Sequence, residues 1–308
     1  EMMFKVRMVE EEIAKRYSEQ KMRCPTHLSI GQEAVPAALS VNLTDADLAV
    51  STHRSHAHYL AKGGDLPRMI AEIYGKSTGC SKGKGGAMHL VDLEAGFMGS
   101  SAIVGNSIPV GVGIGMSLKL DGTNGISVVF LGDGATEQGV YYESLNFAAL
   151  KDLPILFVCE NNAYSVYSPK KDRQPYGRSI AKVAAAMGIK SVELDGNDAS
   201  MLYDAFKDII SELKAGSGPQ LVECNTYRLR EHCGPNYDDD LKYRPTSEIS
   251  YWLDNDPIQK FIAEHAINLD KINEIKSHIK IEIIAAFEFA ENSPFPLIQD
   301  AYSGEYAE

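Results

Sequence analysis

Asp133 and Asn162 are the two side chains whose type and spacing point most directly to chemistry. Asp133 lies between Gly132 and Gly134, and Asn162 ends an Asn161-Asn162 pair twenty-nine residues further on. Each follows a run that reads as a buried strand, Ile126 to Leu131 before the first and Pro154 to Cys159 before the second, with a helix-patterned stretch from Glu137 to Leu150 between them. That is a βαβ unit. Its strands run the same way, so both side chains emerge at the carboxyl edge of the sheet, where open α/β sheets bind ligands. A carboxylate and an amide oxygen placed there suit Mg²⁺, a hard octahedral ion that keeps phosphate oxygens among its ligands. Gly132 and Gly134 allow the backbone to approach a diphosphate. Gly-Asp-Gly alone is an ordinary strand-to-helix turn with Asp133 as N-cap. The Asn-Asn pair at matching spacing, after a second apolar strand, turns the reading toward a ligand.

Positioning these groups takes more sheet than one βαβ unit. Beyond it the pattern gives a helix around Ile180 to Met187, a strand from Lys190 to Leu194, a helix from Ala199 to Leu213 and a strand from Gln220 to Asn225. The expected fold is α/β, a mostly parallel sheet with helices on both faces. We expect a single domain over residues 1–308, with helical extensions at 1–45 and 254–308. Met2 to Tyr17 has apolar residues at helical spacing and reads as a helix packed on the outside or on a partner. Gly31 to Leu43 and Leu66 to Tyr74 read as two further helices. Gly75 to Ser101 carries glycines at 75, 79, 83, 85, 86, 96 and 99, and a loop of that length is either functional or disordered. Gly105 to Leu118 reads as a glycine-rich helix suited to close helix-to-helix approach. A polar loop runs from Tyr227 to Pro245, and no internal repeat is visible.

Composition narrows the classes. The chain has 308 residues, a formal net charge of −12 and a pI near 5.2. That balance argues against nucleic acid and against an anionic membrane surface as partners. Five cysteines form no Cys-x-x-Cys pair, so neither a disulfide framework nor a structural zinc site is indicated. No window of about eighteen uninterrupted apolar residues exists. A soluble, cytoplasmic chain with reduced thiols is the expectation.

Further motifs extend the reading. The segments His27 to Glu33, His53-Arg54-Ser55-His56, Lys82 to His89, Ile103-Val104-Gly105, Gly132 to Gly134, Glu160-Asn161-Asn162 and Thr226-Tyr227-Arg228 occur in this order. Together they resemble the α subunits of thiamine diphosphate (ThDP)-dependent 2-oxoacid dehydrogenases, of the pyruvate and acetoin dehydrogenase kind, over nearly the whole chain. The resemblance implies a ThDP-binding fold, the diphosphate-binding half, with ThDP and Mg²⁺ as cofactors. It implies metal ligation by Asp133, Asn162 and the backbone carbonyl of Tyr164. Cofactor contacts fall at His53, Arg54, Ala102, Val104, Gly132, Asp133, Gly134, Ala135, Asn162 and Arg228. His27 and His232 match histidines lining the channel above the cofactor's reactive ring, where proton transfers near neutral pH suit imidazole. Arg54 and Arg228 supply the bidentate donors that a diphosphate needs.

The resemblance also implies what this chain lacks. The pyrimidine-binding domain and the activating glutamate come from a separate β subunit, in an assembly of two α and two β. A lipoyl acyltransferase is a further expected partner, and the substrate a small carbonyl compound. His53 stands where pyruvate dehydrogenases commonly have Tyr and Arg230 where they have His, which leans toward the acetoin branch. Glu231 replaces a family glycine, and a carboxylate beside the channel would disfavour an anionic acceptor unless Arg230 balances it. Cys233 stands in place of a serine that is phosphorylated in animal pyruvate dehydrogenases. The spacing of His53, His56 and His58 puts only His53 and His56 on one helical face, with no third ligand nearby, which excludes zinc among those three.

Three other readings compete. A non-oxidative ThDP-dependent carboligase uses the same cofactor. A structural α-like subunit would lose Asp133, Asn162 or Arg54, and all are present. A Rossmann nucleotide-binding domain needs a Gly-x-Gly-x-x-Gly after the strand ending at Leu131, and none follows it.

Overall fold

Apolar residues fill both alternating registers of the central strands, and that decides the layering. In a computed structural model, which describes residues 1–303, six parallel strands form one sheet in the order β2-β1-β3-β4-β8-β7. They are β1 (Leu48–Ser51), β2 (Phe97–Ser100), β3 (Ser127–Gly132), β4 (Ile155–Asn161), β7 (Lys190–Asp195) and β8 (Gln220–Asn225). β5 (Tyr164–Ser165) and β6 (Ser168–Pro169) make a separate antiparallel pair. Val128, Phe130, Leu156, Val158 and Val222 enter one core; Val129, Leu131, Ile155, Phe157 and Cys159 enter the other. Side chains of period two must divide this way, and helices on both faces are the regular cover for a parallel sheet.

On the first face lie α1 (Met2–Arg16), α2 (Ala34–Ser40), α3 (His56–Ala61), α4 (Leu66–Ile73), α9 (Ala199–Lys214), α11 (Pro257–Glu264) and α12 (Leu269–Asn292). On the second lie α5 (Ser107–Leu120), α6 (Gly139–Leu150) and α8 (Ile180–Ala186). One turn, α7 (Lys170–Arg173), follows β6, and α10 (Thr246–Asp254) buries no residue fully. Residues 304–308 of the expected C-terminal extension lie outside the described residues.

Three elements differ from the sequence expectation, each for a physical reason. α1 is part of the core: Val6, Val9 and Ile13 are wholly buried among α3 and α12. Its apolar stripe therefore faces this chain rather than a partner. The glycines of α5 serve an approach to the sheet, not to another helix. A Cβ at Gly111 would run into Val129 and Val50, and one at Gly115 into Ile155.

The glycine-rich stretch expected as one loop from Gly75 to Ser101 contains β2 at its end, and its first part, up to Gly86, is ordered by one carboxylate. Glu72, wholly buried on α4, accepts from the backbone N–H groups of Ser81 (2.8 Å), Gly83 (2.8 Å), Gly85 (2.7 Å) and Gly86 (3.0 Å). Gly83 and Gly86 have φ of 78° and 60°, a conformation that glycine takes without strain. The loop then leads into β2.

The strand order has a reversal. From β1 the chain steps to β2 on one side and then to β3 on the other, so the connections part between β1 and β3. In such sheets that crevice, at the carboxyl ends of the strands, is where ligands bind.

Candidate functional site

The crevice holds an open-mouthed cavity at the carboxyl ends of the strands. Thr52, His53 and Arg54 reach it from the end of β1, Ser101 from β2, Gly132 to Ala135 from β3, and Glu160, Asn162, Tyr164 and Ser165 from β4 and the turn after it. His232 comes from the loop after β8, Gln32 from the loop before α2, and Ile103, Val104, Gly105 and Ser107 from the start of α5. Among the sequence-expected site residues, His53, Arg54, Val104, Gly132, Asp133, Gly134, Ala135, Asn162, Tyr164 and His232 line one wall or another of this cavity.

The oxygen donors come from adjacent strand tips. β3 and β4 pair in register through Gly132 and Glu160, so Asp133 and Asn162 leave the sheet one step apart. Asp133 is buried and forms an ion pair with Arg173, which also pairs with Glu137. Burial pushes the Asp133 carboxyl above its ordinary range, and Arg173 opposes that rise. Asn162 donates to Gln32 Oε1 (3.1 Å), and Gln32 donates to Glu160 Oε2 (3.3 Å). Behind them Glu160 lies 3.2 Å from His58 Nε2, while His58 Nδ1 meets Ser51 Oγ at 2.7 Å. This chain of contacts fixes the Asn162 amide. Tyr164 N donates to Asn162 Oδ1 (3.2 Å) in a tight turn through Ala163, whose φ is 65°. Val166 follows at φ 55°, and a β-branched residue there stores about 1–3 kcal/mol of strain. At Gly132 a Cβ would meet nothing, so the backbone is open to the cavity. A carboxylate and an amide oxygen are the donor types that a hard cation takes.

Facing them is a cluster of imidazoles. The rings of His27 and His53 are 4.6 Å apart, those of His27 and His232 5.0 Å, and those of His53 and His232 5.5 Å, all edge to face. Burial, reinforced by the Arg54 charge, lowers their pKa values to about 2 for His27, about 3 for His53 and about 4 for His232. At neutral pH all three are neutral, able to donate and accept hydrogen bonds but not to carry charge. Arg54 donates to the carbonyls of Leu28 and His232 (3.2 Å), and burial with the nearby Arg228 brings its pKa down to about 10. It is the one cation on the cavity wall among the described residues.

Three expected residues, Ala102, Arg228 and His27, stand off the wall. Ala102 is partly exposed between Ser101 and Ile103, which do line it. Arg228 is buried and commits its guanidinium to Arg230 O (2.6 Å), Val166 O (2.8 Å) and the Tyr243 hydroxyl (2.9 Å), tying the 226–245 loop to the turn after β4. His27 packs on the other two imidazoles from behind and is not itself on the wall. Glu231 accepts from Asn236 N (2.8 Å) within its own loop, and Arg230 pairs with Glu11 instead of balancing it. Sequence reasoning missed Gln32, Glu160, Ser165 and Arg173. The run Lys170-Lys171-Asp172-Arg173 was the available signal for the last.

His53 also departs from its expected placement. It precedes α3, which starts at His56, so it joins His27 and His232 rather than sharing a helical face with His56. All five cysteines are free thiols. No helix among the described residues is long and apolar enough to cross a membrane.

Comparison with known proteins places this geometry in context. The family model described as "Dehydrogenase E1 component" matches residues 1–299. The chain is 38% identical to a pyruvate dehydrogenase E1 component subunit alpha of Rickettsia bellii, over 99% of this chain and 93% of that protein. It is 36% identical to the alpha subunit of an acetoin:2,6-dichlorophenolindophenol oxidoreductase of Bacillus subtilis, over 97% of this chain and 91% of that protein. It is likewise 36% identical to the chloroplastic pyruvate dehydrogenase E1 component subunit alpha-3 of Arabidopsis thaliana, over 94% of this chain and 69% of that protein.

Proposed function

The chain belongs to the dehydrogenase E1 component family, and from that premise we propose that its cavity holds ThDP through a Mg²⁺ ion bound by Asp133, Asn162 and the Tyr164 carbonyl. The chain is the α subunit of a ThDP-dependent dehydrogenase that cleaves the bond next to the carbonyl of a 2-oxoacid or of acetoin. Its partner is a β subunit. A lipoyl carrier, on its acyltransferase, is the acceptor we assign to the acyl unit. Relatives of the pyruvate and the acetoin kind lie at similar identity, and none supports the non-oxidative carboligase reading.

One observation carries the cofactor assignment: two hard oxygen donors leave neighbouring parallel strands into the same cavity that Arg54 and the imidazoles line. ThDP, when bound, supplies the carbon nucleophile that adds to a carbonyl and takes up the negative charge left as the adjacent bond breaks. Gly132 leaves room for a diphosphate beside the metal ligands, and Arg54 adds a charge-assisted donor where Mg²⁺ offsets only part of the anion. Gln32 keeps the Asn162 amide turned, through the bond to Oε1. His53 and His232 face the cavity with His27 packed behind them. As neutral imidazoles they hydrogen-bond a substrate carbonyl without adding a positive charge. On the wall Asp133 pairs with Arg173 and Glu160 accepts from Gln32, and the acid that activates the cofactor is assigned to the β subunit, as the family resemblance implies.

Calorimetry of ThDP binding to the assembled α and β subunits in Mg²⁺ tests this. Asp133→Ala removes the one charged metal ligand, and saturable binding is expected to disappear. ThDP binding that persists unchanged in that variant would sink the assignment.

A further inference from the structure

We propose that His27, His53 and His232 form a three-imidazole site for a divalent transition cation, Zn²⁺ foremost. The site differs from the Mg²⁺ ligands in chemistry, though both open on the same cavity. Its donors are nitrogens only, and imidazole selects Zn²⁺, Cu²⁺ or Ni²⁺ over the hard ions that oxygen donors hold.

The geometry is close to what such an ion requires. One ring nitrogen from each histidine lies within 4.8 Å of the other two. With Zn–N bonds of about 2.0–2.1 Å, a tetrahedral ion sets its nitrogen ligands about 3.4 Å apart, so side-chain rotation inward by about an ångström is enough. The residues come from three separate loops, before α2, after β1 and after β8, and those loops are held together by Arg54 through Leu28 O and His232 O. Two of the three imidazoles, His53 and His232, open on the cavity, so an ion has a path of entry. Three protein ligands leave the fourth position to water or to a substrate oxygen, the pattern of open zinc sites.

The free electron pairs are present. His27 Nδ1 is buried without a hydrogen-bond partner, and buried polar atoms of that kind need a reason. All three rings are neutral at pH 7, the form that ligates. Arg54 is the opposing charge: its guanidinium is 3.5 Å from His232 Nδ1, at the outer limit of hydrogen bonding, so that ring can change tautomer to offer its other nitrogen. The carboxylates of Glu10 and Glu160 act on Arg54 from behind and offset part of its charge. Neither histidine of the Glu10–His56 or Glu160–His58 pairs joins the cluster, so the site is limited to these three.

Co²⁺ reports the site directly, because a tetrahedral nitrogen environment gives visible absorption bands that Mg²⁺ and ThDP do not. The probe is Co²⁺ alone, added to the full chain assembled with its partner and stripped of ThDP and Mg²⁺, followed by displacement with Zn²⁺. One equivalent is expected to saturate the bands, and Zn²⁺ to bleach them. His53→Gln and, separately, His232→Gln are expected to weaken Zn²⁺ binding at least about a hundredfold, more than the loss of an outer partner costs at known sites. Asp133→Ala is expected to keep the bands, so failure of the Mg²⁺ assignment and failure of this one are separate results. Circular dichroism and the thermal midpoint establish that each variant is folded. Absence of bands in the wild-type assembly overturns the proposal, as do bands undiminished in both folded histidine variants.

Discussion

The imidazole cluster makes a testable statement about protons. His27 and His53 are neutral in the fold because burial and Arg54 lower their pKa values to about 2 and about 3, against an ordinary value of 6.5 in the unfolded chain. Between those limits the unfolded chain binds protons that the folded chain does not. Stability is therefore full above pH 6.5 and falls as the pH is lowered, with a slope of about 1.4 kcal/mol per pH unit for each fully affected histidine. We expect urea unfolding to show that loss from pH 6.5 to 5, before carboxylates titrate, and His27→Asn to flatten it. A slope unchanged in that variant would mean that the ring is hydrated in solution. Asp133 and Asn162 were legible in the sequence because each follows an apolar run that reads as a strand, whereas Arg54, His53 and His232 were reached only through the family resemblance. Gln32, Glu160 and Arg173 were not. Gln32 meets Asn162 and Arg173 meets Asp133 only because loops distant in sequence fold onto the β3 and β4 tips. Arg228 was likewise named through the resemblance, and its guanidinium goes to loop carbonyls, which a motif match does not reveal.

At the scale of elements, Glu72 shows how a helix can order a loop with no regular structure of its own. Its two oxygens accept four backbone N–H groups, so replacing it with Gln turns a donor toward two of them while keeping the size. Leaving buried donors unpaired costs about 1–3 kcal/mol each. Glu72→Gln is expected to lower stability by about 2–4 kcal/mol in urea unfolding and to speed hydrogen exchange at Gly83 to Gly86. Wild-type protection at those amides would rule out the carboxylate as organiser. The same stretch explains where sequence reading of the fold stops. β3, β4, β7 and β8 were readable from continuous apolar or alternating runs, and β8 at its observed limits. β1 and β2 are four residues each, Leu-Ala-Val-Ser and Phe-Met-Gly-Ser, too short to carry a period. Neighbouring strands hold them extended: β1 pairs with β3, and β2 with β1. The α5 glycines announced a close approach, and only the sheet order identifies the sheet as what is approached.

For the molecule as a whole, one face is left apolar where a chain of net charge −12 has little reason to leave it so. Ile103 (67% exposed), Val104, Val110, Phe147 and Leu150 lie on and beside α5 and α6, which pack against each other. Ile103 and Val104 also line the cavity, so whatever covers this face also closes the reaction site. Scattered exposed apolar residues need no explanation, but exposed apolar residues along two packed helices, with Ile103 and Val104 at the cavity rim, mark a place for a partner. We propose the β subunit as that partner. Val110→Asp places a charge on the face without touching the core, since Val110 is half exposed and the buried side of α5 is made by Ile108, Gly111, Val112 and Gly115. The isolated chain should keep its thermal midpoint within about 0.5 kcal/mol equivalent, as surface substitutions do. Its affinity for the β subunit should fall at least about tenfold, the scale of an anchor residue worth more than about 1.4 kcal/mol. Sedimentation of mixed subunits reads the two outcomes apart. If the assembly forms with wild-type affinity, the β subunit docks elsewhere, and the acid must reach the cavity from the side of the 226–245 loop.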